Sequence, residues 1–579
     1  MIKYIFKIGL FTLLTIFIAA CGTPTSSYEV VKDQYQAKLQ NKKNNGNSKL
    51  GKNAVATAHP LATQAALETL EKGGNAFDAA VVASAVLAVV EPSGSGMGGG
   101  GFWLLHRESD GKQVMIDGRE TAPAAAHRDM YLDANKQVIK GVSLNGPLAA
   151  GIPGQAAALD HISKQYGNLT LSQNLQAAIK FADQGVAANE HIVKHLNFRS
   201  KIFNTEAKRL FLKEGEVPTV GTVIKQPELA TTLELLAKQG RRGFYQGEVA
   251  QKMVDSVRNN GGIWTLEDLK NYKIIEREPV KFDYKGNRIV AANLPSSGGI
   301  VLGQIMQTIE LKQKTEGDKK APTMHLFVEA MRRAYRDRSL YLGDSDFVKV
   351  DEASLLSPAY LQKFVNDIGD KATLSADLST TPNLGVDTTH FSIIDRDGNR
   401  VAATLSINYP FGSGHIAEGT GVFLNNEMDD FVSKAGEPNV YGLVGGKANQ
   451  IEPGKRPLSS MTPTFIETDN GAIAIGTPGG SRIISMVALA MSNIVDRNMS
   501  LQQAIDAPRY HHQYLPDAIQ LEKGSSYLEV PKLIEKGHQF KRLNRQYGNM
   551  HAVSWENFQG KVVFEAASDS RGEGQAIVK

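Results

Sequence analysis

Cysteine is nearly absent. Cys21 is the only one in 579 residues, so the chain can close no internal disulfide. A strong charge of one sign is missing too. The net charge of +4 is slight for this length, and no basic stripe is interleaved with aromatics, which speaks against a nucleic-acid partner. Neither is there the acidic excess of a disordered chain. With 42% hydrophobic and 21% charged residues, the composition is that of a globular protein with length enough for a large core. No repeat period emerges. Several chemical signatures are lacking as well. The adjacent His511 and His512 point apart on any regular element and do not have the spacing of a ligand pair, so no metal site is expected. Gly94-Ser95-Gly96 falls short of a G-x-S-x-G elbow, and Gly454-Lys455-Arg456-Pro457 is no P-loop.

The N-terminus reads as a targeting signal. Lys3 and Lys7 precede the apolar run Gly9 to Ala20, which is too short for a comfortable membrane span. The run ends Ile18-Ala19-Ala20-Cys21-Gly22, and small residues before a cysteine resemble a bacterial lipobox. Residues 1–20 are therefore expected to be a signal peptide, Cys21 a lipidated first residue, and the protein exported and membrane-anchored. An ordinary secretory peptide with a chance cysteine is the plainer alternative. Residues 21–50 are rich in Ser, Lys, Asn, Gln and Gly and read as a solvated tether.

The globular part starts near Asn53. Leu61 to Lys72 has helical apolar spacing and stops at Gly73-Gly74. Asn75, with Asp78 three residues on, caps a second helix, Ala76 to Val90, apolar on nearly every side and hence buried. Ser93 to Gly101 contains a formal G-x-G-x-x-G, but a helix precedes it and a strand follows. That reverses the dinucleotide context and leaves close backbone packing as the better account. Gly101–His106 and Gln113–Asp117 read as strands. Between Gly154 and Asp370 the pattern reads as helices and loops without chemical features. Thr388–Asp395, a turn at Asp397-Gly398, and Val401–Ile407 read as a hairpin. Ala472–Ile475 adds a strand, and a helix runs from Arg482 to about Ile494. Helix, strands, strands, helix is a layered sandwich.

Thr388-Thr389 opens the hairpin after Asp387. Two threonines at a strand start are ordinary β-propensity. A threonine hydroxyl becomes a good nucleophile only beside a base, and its own α-amine can be that base once the chain is cut before it. Other polar clusters each have a plain explanation: Asp117 to Pro123 around Arg119, Leu424 to Phe431 with three acids, Lys455 to Pro463 with paired serines, and Thr477 to Arg482 with paired glycines.

Taken in order, these runs resemble the γ-glutamyltranspeptidase family. The likeness extends from Ala54-Val55-Ala56 and His59-Pro60-Leu61-Ala62 to Ala567-Ser568-Asp569. Its most specific strings are Asp387-Thr388-Thr389-His390-Phe391-Ser392, Pro457-Leu458-Ser459-Ser460-Met461 and Pro478-Gly479-Gly480-Ser481-Arg482. The resemblance implies an α+β N-terminal-nucleophile hydrolase fold, a four-layer αββα sandwich. It also implies a precursor that cuts itself between Asp387 and Thr388, giving a large subunit, residues 51–387, and a small one, residues 388–579, that stay together as a heterodimer. Thr388 would carry the γ-glutamyl group as an acyl-enzyme, cleaving glutathione and related compounds and passing the group to water or to an amino acid or peptide acceptor. No cofactor is implied. Gly479 and Gly480 would stabilise the oxyanion. Ser406 stands where the family often has a threonine against the nucleophile, and keeps the hydroxyl. Arg119, Ser459 and Ser460 would take the glutamyl α-carboxylate; Asn408, Glu427 (glutamine in some members) and Asp430 the α-ammonium. Asn439 to Gly446 looks like the family's lid loop, with Tyr441 as the cover. Cephalosporin (glutaryl) acylases and poly-γ-glutamate depolymerases share this fold and nucleophile and are the nearest alternatives; a lipid-anchored, catalytically dead binding protein is the alternative of another class.

Overall fold

The computed structural model describes residues 50–317, 320–375 and 388–579. The signal peptide, Cys21, nearly all of the tether and Asp387 lie outside these residues.

Two antiparallel sheets stack face to face. The first runs in the order Gln575–Val578, Ala54–Thr57, Thr389–Ile394, Arg400–Ser406, Gly100–Arg107, Lys112–Asp117, Ile275–Arg277. The second runs Lys561–Ser568, His551–Phe558, Gly471–Gly476, Thr464–Thr468, Asn287–Ala291, Val280–Tyr284. Strand alternation sorts the side chains into layers. Ala54, Phe102, Leu104 and Ile394 point between the sheets, where Val290, Phe465, Ala474 and Val553 of the second sheet meet them. Val55, Trp103, Leu105, Phe391 and Ile393 point outward, onto the helices Pro60–Glu71, Ala76–Val90, Gln155–Gln165 and Leu171–Gln184. The outer face of the second sheet is covered by Gly298–Glu316, Met324–Tyr341 and Ile483–Val495. The fold is α+β, an N-terminal-nucleophile hydrolase sandwich of four layers.

The local signals act as expected at several points. The Asn75 side chain accepts from the Phe77 and Asp78 N–H groups while Asp78 accepts from the Asn75 N–H, a complete capping box. The helix it opens is buried along its whole length. The glycine run packs backbone against backbone. The strands between Gly154 and Asp370 correct the expectation of helices and loops alone: Ile275–Arg277 edges the first sheet, while Val280–Tyr284 and Asn287–Ala291 enter the second. No division of the fold falls at residue 388. Ala54–Thr57, from the N-terminal part, pairs on one side with Thr389–Ile394 and on the other with Gln575–Val578.

Gly99 is packed tightly against the strand that ends at Ser406. A β-carbon there would lie 2.2 Å from the Ser406 carbonyl oxygen and 2.6 Å from Ile407 Cγ2. Gly99→Ala is expected to lower unfolding stability by about 2 kcal/mol, because the clash is with backbone at the end of a central strand. Denaturant unfolding measures it, and an unchanged midpoint would refute the close-packing account.

Candidate active site

Sheet register brings the hydroxyls together. Arg400–Ser406 pairs antiparallel with Thr389–Ile394, Leu405 lying opposite Thr389, so Ser406 comes opposite Thr388. Thr388 Oγ1 and Ser406 Oγ are 3.3 Å apart and buried. Ser406 Oγ also accepts from the Asn408 N–H at 2.8 Å, which orients it. Asn408 adopts a left-handed conformation, φ 72°, and its side-chain amide donates to the Asn426 carbonyl at 2.8 Å. The second threonine turns elsewhere: Thr389 Oγ1 donates to Glu91 at 2.5 Å.

Thr388 and Ser406 open into a cavity whose wall includes Arg119, Arg338, Asn408, Glu427, Asp430, Tyr441, Ser459, Ser460 and Gly480. Every residue expected to recognise substrate is thus gathered at one place. Gly479 and Gly480 follow the strand Gly471–Gly476 with φ of 143° and 57°, conformations that glycine adopts without strain. The Tyr441 ring occupies the space beside Gly480: a β-carbon on Gly480 would come within 2.4 Å of it. Tyr441 Oη donates to the Asn408 carbonyl at 2.6 Å, so the loop Asn439 to Gly446 is pinned across the cavity by its tyrosine. The Ser460 hydroxyl is buried, with no hydrogen-bond partner among the described residues.

Charge is the second feature. Arg119, fully buried, donates through Nη1 to Glu427 and through Nη2 to Asp430, both at 2.5 Å, and through Nε to the Pro457 carbonyl at 3.2 Å. The expected cationic and acidic poles are therefore paired with each other. A guanidinium has five N–H donors, and these bonds use three. Glu120 adds another buried carboxyl 3.8 Å from Arg119, with neither oxygen hydrogen-bonded among the described residues. Burial opposes the charge on Arg119, yet the anions of Glu427, Asp430 and Glu120 hold its pKa above the ordinary value. Burial pushes Glu427 up to about 7 against the pull of Arg119, and drives Glu120 well above the carboxylate range. With more acids than cations in a dry site, Glu120 is the group that keeps a proton.

Arg338 was not foreseen; the stretch before Asp370 read as chemically silent. It sits on the apolar stripe of the helix Met324–Tyr341, in register with Phe327, Met331 and Ala334, and that misplaced charge was the available signal. Its Nε donates to Ser297 Oγ at 2.9 Å, and burial pushes its pKa down to about 10. The neighbouring Arg332 and Arg333 instead form ion pairs with Glu329. His511 and His512 are buried, bonded to Ser485 and Gln513 and to Asp517 respectively, as packing histidines.

The family model described as gamma-glutamyltranspeptidase matches residues 62–579. The chain belongs to the gamma-glutamyltranspeptidase family. Among curated relatives, the glutathione hydrolase proenzyme of Pseudomonas sp. (strain A14) is 44% identical over 489 residues, which cover 83% of this chain and 85% of the relative. Among solved structures, the cephalosporin acylase from Bacillus halodurans superposes with a TM-score of 0.79 at 26% identity, covering 92% of this chain and 97% of that one. The Helicobacter pylori gamma-glutamyltranspeptidase gives a TM-score of 0.53 at 38% identity, covering 59% of this chain and 97% of that one.

Within this family site, Arg119 is the counterion on which the buried acids depend. Arg119→Met is expected to destabilise by about 3–5 kcal/mol at pH 8, since it strands buried carboxylates. Glu427 has a folded pKa above its unfolded value, so its protonated form favours the fold and that advantage is lost as pH rises through about 7. The gap between variant and parent should therefore widen from pH 5.5 to pH 8. Denaturant unfolding at the two pH values checks this; a gap that narrows would contradict it.

Proposed function

We propose that the protein is a self-processing γ-glutamyltransferase and glutathione hydrolase. One observation carries the reading: Thr388 Oγ1, 3.3 Å from Ser406 Oγ, shares a cavity wall with both arginines and acids. A glutamyl group has a carboxylate and an ammonium at one end and an acyl carbon at the other, and this cavity offers a partner for each. The glutathione hydrolase name of a relative 44% identical supports the substrate.

In the proposed chemistry, a cut between Asp387 and Thr388 frees the Thr388 α-amine. Such an amine titrates near roughly 7.7–8, so a useful fraction is unprotonated at neutral pH. Thr388 Oγ attacks the γ-carbonyl of the donor, its proton passing to the amine. The oxyanion is held by the N–H groups of Gly479 and Gly480, where the absent side chains let the backbone come close. The C–N bond breaks, the leaving amine takes the proton, and an ester on Thr388 remains. Water or an acceptor amine then attacks the ester, and Thr388 is regenerated. Ser406 holds the hydroxyl in line. Asp430, Glu427 and Asn408 accept from the glutamyl ammonium. The two N–H donors left on Arg119, the hydroxyls of Ser459 and Ser460, and Arg338 meet the carboxylate. Tyr441 closes the cavity over it.

The two products of the cut would remain together, because their strands alternate within the first sheet. That the H. pylori chain aligns over 97% of its length to only 59% of this one supports a divided polypeptide. Export and anchoring through Cys21 rest on the N-terminal sequence. Among the described residues no helix is long and apolar enough to cross a membrane.

Thr388→Ala should give one uncut chain without turnover, while the parent gives a smaller band whose N-terminal sequence begins at Thr388. A band beginning elsewhere would defeat the proposal. A γ-glutamyl anilide should be cleaved in preference to poly-γ-glutamate, and the reverse order would favour the depolymerase alternative. Arg338→Met is expected to reduce kcat/KM about 10–100-fold, mostly through KM, as loss of a charge-assisted contact requires. An unchanged KM would remove Arg338 from the binding set.

A further inference from the structure

A second cluster of titratable groups meets the Thr388–Thr389 peptide from outside the glutamyl cavity. Glu91 ends the helix Ala76–Val90, its N–H donating to the Leu87 carbonyl. Its carboxylate accepts from Thr389 Oγ1 at 2.5 Å. The point a β-carbon of Gly94 would occupy lies 3.5 Å from both the Glu91 carboxyl carbon and the Thr388 carbonyl oxygen, so the Glu91 head group and the nucleophile's own peptide flank one glycine. His59, Asn189, His191, Asn549 and Glu573 complete a small cavity on that side, and none of them lines the glutamyl cavity.

Among the described residues Glu91 has no cationic partner. His191 Nε2 stands 3.8 Å from Glu91 Oε1 and makes no hydrogen bond among the described residues, and the His191 ring lies edge-on to His195 at 4.2 Å. Burial holds His59 and His191 down to about 4 and His195 well below the ordinary value, so all three are neutral at neutral pH. Lys194, on the helix Glu190–Arg199 that carries both His191 and His195, and Arg545 add positive charge near these two histidines. Glu573 faces Glu91 with a like charge, and the helix C-terminus disfavours an anion further. Burial pushes Glu91 up to about 7; the Thr389 hydrogen bond opposes this and Glu573 adds to it.

We infer that Glu91 is a positioning residue for Thr388, fixing the Thr388–Thr389 backbone through the Thr389 hydroxyl and setting the pH range in which the Thr388 α-amine is free to act as base. The inference rests on the assignment of Thr388 as nucleophile made above. An ionised carboxylate one residue from the amine stabilises the ammonium and raises its pKa; a neutral carboxylic acid does not. Glu91, pushed up to about 7, and an α-amine of ordinary pKa titrate close together, so the charge on one acts on the other. Base competence disappears as pH falls through the amine's pKa. Removing the Glu91 charge lowers that pKa and carries activity to lower pH.

The test is the pH profile of kcat/KM for the processed enzyme on a γ-glutamyl anilide. Glu91→Gln, which keeps the hydrogen bond and loses the charge, should move the acidic limb down by about 0.5–1 pH unit. Its plateau should stay within about threefold of the parent's. Thr389→Val removes the contact that favours the anion, and should shift the limb in the same direction. Thr389→Ser, which restores the hydroxyl, should match the parent. An acidic limb unmoved in Glu91→Gln, or a uniform loss of rate at every pH, overturns the inference. If Glu91→Gln does not process, the Thr389 pair decides: equal profiles for Val and Ser overturn it. These outcomes leave the parent reading intact; that reading falls if Thr388→Ala still turns over substrate or if the smaller band of the parent begins elsewhere than at Thr388.

Discussion

The pairing of Leu405 with Thr389 governs where the hydroxyl pair sits. A strand's side-chain period is two, so a slip by one residue would turn Phe391 and Ile393 out of the helix-facing layer and push His390 and Ser392 into it. His390 and Ser392 instead bond each other, with Thr404 and the His551 carbonyl completing a closed polar set. A β-carbon on Gly476 would come within 2.3 Å of the His390 ring, so the second sheet is fitted to the same register. Hydrophobic burial over two faces thereby holds Thr388 against Ser406. The energy that positions Thr388 is spread through the core, where no single contact carries it.

The electrostatic design follows from the burial of the cavity's charged groups. Glu120, Glu427 and Asp430 crowd one guanidinium, and an arrangement with more carboxyls than cations persists only where a proton is retained or a second cation stands near. Arg338 approaches from a helix of the opposite outer layer and supplies that cation. A cavity with fixed charge of both signs is matched to a dipolar ligand, because each end replaces water with an oriented partner. Tyr441, wedged beside Gly480, excludes solvent over the same spot and raises the value of every one of these contacts.

Much of this was legible in local chemistry. The Asn75 capping box, the wholly apolar helix after it, the Asp397-Gly398 hairpin and the glycine-rich turns each carry their structural instruction within a few residues. Val280, Phe282 and Tyr284 alternate with Lys281 and Asp283, yet the strand they form is short and lies between helices, which masks its period. Arg338 escaped for a different reason. Its place on the apolar stripe with Phe327, Met331 and Ala334 marks it as buried, but only the docked helix shows that it faces the cavity while Arg332 and Arg333 pair with Glu329.

The sequence by itself determined the family, the layered helix–sheet–sheet–helix order and most element types outside the stretch from Gly154 to Asp370, since propensity, capping and the family's ordered strings are local or linear properties. Only the tertiary structure decided that Arg119 is already paired with Glu427 and Asp430, that Arg338 joins them, and that Thr389 belongs to Glu91. These pairings join residues far apart in the chain, up to 311 positions for Arg119 and Asp430. No local rule encodes such a meeting. It exists because two sheets and two helix layers must bury their apolar faces together, and the polar groups at the strand ends are carried to wherever that packing puts them.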